Sequence, residues 1–188
     1  MKTAIELAGE QGVDNVTTQD IANAVGVTQG AIFRHFPTKD MIWIAAVRWM
    51  RERLMRAVDM AVGQGKDPLA RLDRIFFAHI GIAEKYPAVP RLLMSTNPHL
   101  KRLLQEVITG YEERITALIE EARTQGQVRQ DLDAHHAAAL YTAMIQGLVT
   151  RVLILGARKS LLAEAKKVFP IYLAGIAATG VTAPGGQL

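Results

Sequence analysis

Gln29, Arg34 and Lys39 carry side chains with the chemistry to read and hold DNA. A glutamine amide pairs in bidentate fashion with adenine, a guanidinium pairs with guanine or with a phosphate, and a lysine ammonium suits the phosphate backbone. Between them, Gly30 and Ala31 are small enough to allow close approach to a groove. Such groups recognise DNA only when a rigid element carries them, and the flanking residues predict one. Thr17 and Thr18 are N-cap types, Asp20 places a carboxylate where the helix dipole favours it, and Ile21, Ala22 and Val25 recur at helical spacing. Gly26 can take the left-handed conformation that ends a helix, Val27 is apolar within the turn, and Thr28 caps a second helix. In that second helix Ile32 and Phe36 face inward, leaving Gln29, Gly30, Ala31, Phe33 and Arg34 outward. Two short helices joined by a tight glycine turn match the helix-turn-helix, whose second helix enters the major groove. The same spacing also occurs as plain packing in helical bundles. What favours DNA is the ordered conjunction of Gly26, Gly30, Phe33, His35, Phe36 and Lys39.

The string GVTQGAIFRHFPTKD resembles the signature of the TetR-type repressors, roughly G-V-(S/T)-x-G-(A/T)-(L/I)-Y-x-H-F-x-(S/T)-K. The resemblance implies that Thr18, Gln29, Gly30, Ala31, Phe33, Arg34, His35 and Lys39 form the DNA face, with Thr28 at the head of the reading helix counted among them. Phe33 departs from the pattern: the family usually carries tyrosine there, so a phenolic hydroxyl able to bond a phosphate is replaced by a bare ring that can pack on sugar or a thymine methyl. His35 has a second reading as a packing and hydrogen-bonding residue of the fold.

The elements that must position this face extend well beyond it. The 188 residues suffice for one domain or two small ones, and the absence of cysteine excludes disulfides and thiolate metal sites. No signal-peptide pattern opens the chain, and the most apolar run, 137–150, is too short for a bilayer. The expectation is a soluble, cytoplasmic protein that does not engage membranes. The net charge of +4 is a mild basic bias, yet residues 1–50 carry four bases against five acids, so bulk charge is neutral evidence. Within the motif the acids lie mostly before Gly26, whereas Arg34, His35 and Lys39 follow it.

Helical periodicity predicts an all-α chain. A first helix bears Thr3, Ala4, Leu7 and Ala8 and stops at Gly12, with almost nothing before it, whereas in the resembling family this helix begins earlier, often after a basic arm. Thr38 caps a long helix over 39–60, on which Arg48, Arg51, Arg53 and Arg56 read as a solvated face paired with Glu52 and Asp59. Further helices are predicted over 68–85, in a short piece near 91–95, over 98–124, over 134–155 behind an Asp133 cap, and over 160–178 with Pro170 inside. The domain reading is 1–38 for the three-helix helix-turn-helix domain and 39–188 for a helical effector-binding and dimerisation domain. Residues 134–155 and 160–178 are apolar on more than one side, which one chain can hardly cover, so a homodimer through these two helices is expected, as the resemblance also implies.

A dimer sets two reading helices about 34 to 36 Å apart and calls for a palindromic double-stranded operator. The resemblance further implies repression relieved by a small-molecule effector lodged among the C-terminal helices. Phe76, His79, Met94, Tyr111, Tyr141, Met144 and Gln146 are the candidates to line its cavity, although residues of these types at helical spacing are also ordinary core. No cofactor or metal is expected. His135 and His136 near Asp131 and Asp133 form the one cluster to weigh, and adjacent helical residues diverge by about 100°, a poor chelate. No phosphate loop, nucleophile elbow or carboxylate pair points to an enzyme. The alternative to an effector-controlled repressor is a DNA-bound scaffold of the same fold that serves a protein partner and takes no small ligand.

Overall fold

In the computed structural model, which describes residues 1–63, 67–86, 98–155 and 160–178 apart from the side chain of Leu153, capping chemistry marks most helix boundaries. Helix α1 (Lys2–Gln11) stops at Gly12, whose φ of 86° is a conformation L side chains rarely adopt. Helix α2 (Thr18–Val25) begins under a reciprocal capping box. The Thr17 hydroxyl accepts from the Asp20 N–H at 3.1 Å, and the Thr17 N–H donates to the Asp20 carboxylate at 2.8 Å. Gly26, left-handed at φ 72°, closes α2 and turns the chain. Helix α3 (Gln29–His35) starts under Thr28, whose hydroxyl accepts from the Ala31 N–H at 3.2 Å. Helix α4 (Lys39–Val62) opens with the Met41 N–H on the Thr38 hydroxyl, and it runs two residues past the predicted end.

The same devices recur downstream. The Asp67 carboxylate accepts from the Leu69 N–H at 3.0 Å as α5 (Pro68–Lys85) begins. Helix α6 (Pro98–Thr124) leads to Gly126 at φ 73°, and Asp133 then caps α7 (Ala134–Leu155) by accepting from the His136 N–H at 3.0 Å. Helix α8 (Leu161–Ile176) starts under Ser160 and holds Pro170 internally. Its end is clipped to the α6–α7 turn: the Arg129 N–H donates to the Ile176 carbonyl at 3.1 Å and the Ala178 N–H to the Gln127 carbonyl at 2.9 Å. The predicted short helix at 91–95 lies outside the described residues.

Packing divides the chain into two compact units, Met1–Arg53 with Lys85–Val107, and Leu54–Glu84 with Ile108–Leu188. The first unit buries Ala4, Ile5, Ala8, Val16, Ile21 and Ala22 together with Ile42, Trp43, Ala46, Val47 and Met50. Residues 39–53 thus pack with the unit that contains the helix-turn-helix, whereas the sequence reading ended that domain at 38. The reason is hydrophobic: the early turns of α4 supply much of the apolar surface that three short helices need to form a core. In the second unit one continuous core runs from Val58 through α5, α6, α7 and α8 to Ile176. Among the described residues no helix is long and apolar enough to cross a membrane.

Candidate nucleic-acid interface

None of the seven residues of α3 is buried, and both ends of the helix are held by local chemistry. Thr28 caps its start, and the Phe36 N–H returns to the Ile32 carbonyl at 2.8 Å at its end. The first unit therefore supports α3 from one side, through the half-buried Ile32 and Phe36, and leaves the rest outward. Gly30, Phe33, Arg34 and His35 are exposed, and Gln29 and Ala31 are partly so. At Gly30 an added Cβ would meet nothing nearer than the Thr28 hydroxyl at 4.0 Å, so the surface there is open.

Four residues of the sequence-derived DNA face, Thr18 and Gln29, Thr28 and Lys39, already have partners within the fold. Thr18 is only 9% exposed, and its hydroxyl accepts from the Gln29 amide at 2.9 Å. The Thr28 hydroxyl is occupied as the α3 cap. Lys39 reaches back across 25 residues to donate to the Asp14 carbonyl at 2.7 Å, which ties the head of α4 to the turn after α1. Each keeps some capacity, since an ammonium has three donors and a hydroxyl two acceptor sites. Asp20 is held below the usual carboxylate range, first by the Thr17 hydroxyl, then by the Thr17 N–H and the Lys39 charge, so it stays an anion and keeps α2 capped.

The effector candidates sit in the second unit. Phe76 is fully buried and stacks on Phe169 with ring centroids 4.2 Å apart, while Tyr141 meets both rings edge-on. Tyr172 joins them at 5.7 Å from Tyr141. The sequence reading missed Phe169 and Tyr172 as neighbours of Phe76 because it assigned their helix to the dimer contact; their spacing, three residues apart on α8, was the available signal. Both buried tyrosines in this group have backbone acceptors: Tyr141 donates to the Leu72 carbonyl at 2.8 Å and Tyr172 to the Ala137 carbonyl at 2.9 Å. His79 Nδ1 lies 3.2 Å from the Tyr111 hydroxyl, and burial lowers its pKa to about 4, which keeps the imidazole neutral. Burial likewise pushes the Tyr111, Tyr141 and Tyr172 hydroxyls up, so all remain protonated. Met144 packs half-buried against the same core, Gln146 is exposed and does not join it, and Met94 lies outside the described residues.

At Asp59 and Arg53 the arginine face of α4 departs from the sequence reading. Asp59 pairs with Arg114, and the Arg53 guanidinium lies over the Trp49 ring at 4.8 Å and the Tyr86 ring at 5.8 Å. Ring faces attract a guanidinium as a carboxylate does, and the sequence reading weighed the nearby acids but not Trp49, four residues before Arg53 on the same helix. At the start of α7, Asp133 caps the helix and pairs with His136 Nδ1 at 3.2 Å. On α7 and α8, Leu140, Ile154, Leu155 and Ile171 are all more than half exposed, apolar side chains that the described residues of one chain leave uncovered.

Comparison with known proteins decides the family. Residues 1–46 match the bacterial regulatory proteins of the tetR family, and residues 94–178 match the C-terminal part of BetI-type transcriptional repressors. The chain belongs to the TetR family of transcriptional regulators. It is a DNA-binding regulator with an N-terminal helix-turn-helix and a helical C-terminal part. Among curated relatives, the nucleoid occlusion factor SlmA of Klebsiella pneumoniae is 27% identical over 153 residues, covering 79% of this chain and 77% of that protein. Among solved structures, a putative transcriptional regulator from Saccharomonospora viridis in complex with choline superposes with a TM-score of 0.84 at 23% identity, over 94% of each chain. The regulator FadR of Bacillus subtilis in complex with stearoyl-CoA gives 0.79 at 19% identity, over 93% of this chain and 96% of that one. At such identities the likeness is one of fold.

Proposed function

We propose that this TetR-family chain is a repressor that binds a palindromic operator as a homodimer and is released by a small molecule held in its second unit. The observation that carries the reading is α3: it is capped at its start, carries no buried residue, and turns Gly30, Phe33, Arg34 and His35 outward. A helix with no packing duty beyond two half-buried contacts has its surface residues free to serve a partner, and their types suit a major groove. Gln29 and Arg34 read bases, Phe33 packs on the groove wall, and His35 and Lys39 meet phosphates.

Dimerisation is assigned to α7 and α8, where the exposed Leu140, Ile154, Leu155 and Ile171 require cover. We assign the effector to the neighbourhood of Phe76, His79, Tyr111, Tyr141 and Met144, where a neutral imidazole–phenol pair lies beside Tyr141, itself packed on Phe76; apolar side chains with a few polar groups are the mix that small-molecule sites use. Two neighbours of the same fold hold choline and stearoyl-CoA, so the fold accommodates ligands of very different chemistry. Relief of repression is then a population shift: a ligand that prefers the non-binding arrangement lowers DNA affinity by its differential affinity for the two states. A second reading, a DNA-bound scaffold for a protein partner without a small ligand, has the SlmA relatives as its support.

Sedimentation of the full chain with a duplex bearing its selected site tests the assembly. Two chains per duplex, with a particle that falls apart when Ile154 and Ile171 are both changed to Asp, is the expected result. One chain per duplex, unaffected by that pair, contradicts it. For the ligand, a small-molecule panel read by loss of DNA anisotropy separates the two readings, since a scaffold releases its site for none of them.

A further inference from the structure

Thr18 is the one residue of the sequence-derived DNA face that the fold buries, and among the described residues its side chain pairs with a residue of that same face. Its hydroxyl accepts from Gln29 Nε2 at 2.9 Å across the helix-turn-helix turn. The α2 cap does not need it, because Thr17 and Asp20 close the capping box by themselves. The α3 cap does not need it either, because Thr28 accepts from Ala31. A primary amide has four bonding positions, two N–H donors and two lone pairs on its oxygen. With one N–H fixed on Thr18, Gln29 keeps one N–H and its oxygen on the same planar edge. That donor–acceptor pair is the complement of adenine, whose N7 accepts and whose N6 donates.

We infer that Thr18 is a positioning residue, whose buried hydroxyl holds the Gln29 amide by one N–H and leaves its other N–H and its oxygen to the groove, the pair that fits adenine at one position of each half-site. This inference rests on the proposed reading of DNA by α3, and it differs from that reading in giving Thr18 no contact with DNA. Gln29 is partly exposed at the first position of α3, next to the open surface at Gly30, so its free edge is available to a groove. Fixing the amide before binding removes rotamer freedom that would otherwise be lost on contact, which favours the base that matches the held edge.

The test is competition binding of the full chain to its selected duplex and to single-base variants, for wild type, Thr18→Val, Thr18→Ser, Gln29→Ala and the Thr18→Val/Gln29→Ala pair, with thermal melts alongside. Gln29→Ala identifies the position that Gln29 reads. Thr18→Val is expected to reduce the adenine preference at that position about fivefold or more, to leave the other positions and the salt slope unchanged, and to add nothing in the Gln29→Ala background. Thr18→Ser restores the preference. A guanine preference at that position, an intact adenine preference in Thr18→Val, or an equal loss on all sequences with a flatter salt slope each overturns the inference. The last result means a direct phosphate contact. Absence of any base preference in wild type removes the reading of DNA by α3 and this inference with it, whereas the other outcomes leave that reading standing.

Discussion

The two places where a partner is expected to bind are built in opposite ways. On α3 no side chain is buried, and the fold engages the motif from its edges, through the Thr17–Asp20 box, the Thr28 cap, the Thr18–Gln29 pair and the Lys39–Asp14 tether. Around Phe76 every aromatic ring packs on another, and the hydroxyls of Tyr141 and Tyr172 are bonded to backbone. The difference teaches where residue identity carries functional information. A side chain that the core does not bury is less constrained by stability, so the exposed Arg34 and Phe33 answer first to the partner. A ring in a stacked core answers first to packing density, so Phe76 and Tyr141 describe the core before they describe a ligand.

Substitutions that separate stability from recognition sharpen this contrast. The largest effect is expected for Phe76→Ala, which opens a cavity beneath Phe169 and Tyr141 and costs about 3 to 5 kcal/mol in urea unfolding, while the protein that remains folded keeps its order of preference among operator variants. A reordered preference would break the comparison. Next, His79 has its folded pKa lowered to about 4 from the usual 6.5. Between those values the unfolded chain takes up a proton that the folded chain refuses, so stability falls as pH drops through that window and levels off below it, by on the order of 3 kcal/mol. His79→Phe is expected to remove that component of the pH dependence; an unchanged slope means the imidazole protonates freely in the folded state.

On the other side, Arg34→Ala is expected to leave the melting temperature within error, as exposed sites generally do, and to relax one base position per half-site by about 1 to 3 kcal/mol. Lys39→Ala carries the smallest effect. If its ammonium meets phosphate, the salt dependence of binding flattens by about one counterion on every sequence alike. If the Asp14 carbonyl is its sole partner, thermal stability falls instead and the salt slope is unchanged.

Local chemistry made the helix boundaries and the helix-turn-helix legible in the sequence. Thr28, Gly26, Thr38 and Asp133 each act within four residues of their own position, and each is found in the role its type predicts. What the sequence did not show was pairing across space. The Asp14 carbonyl that receives Lys39, the Leu72 carbonyl that receives Tyr141 and the Tyr86 ring that receives Arg53 are 25, 69 and 33 residues away, with no periodic signal to announce them. Backbone carbonyls are the hardest partners to foresee, because every residue has one. The limit of the first unit was missed for a related reason: the turns of α4 that carry Ile42, Trp43, Ala46 and Val47 look like the rest of that helix, and only packing assigns them to a core.

The central claim, that α3 of two chains reads a palindromic site, is tested most directly by selecting bound sequences from a random duplex pool at fixed physiological salt, in parallel for wild type and Arg34→Ala. The account predicts one palindrome with half-sites about one helical turn apart, and a loss of preference at one matched position in both half-sites for the variant. An asymmetric site, or a palindrome that Arg34→Ala leaves unchanged at every position, would contradict it.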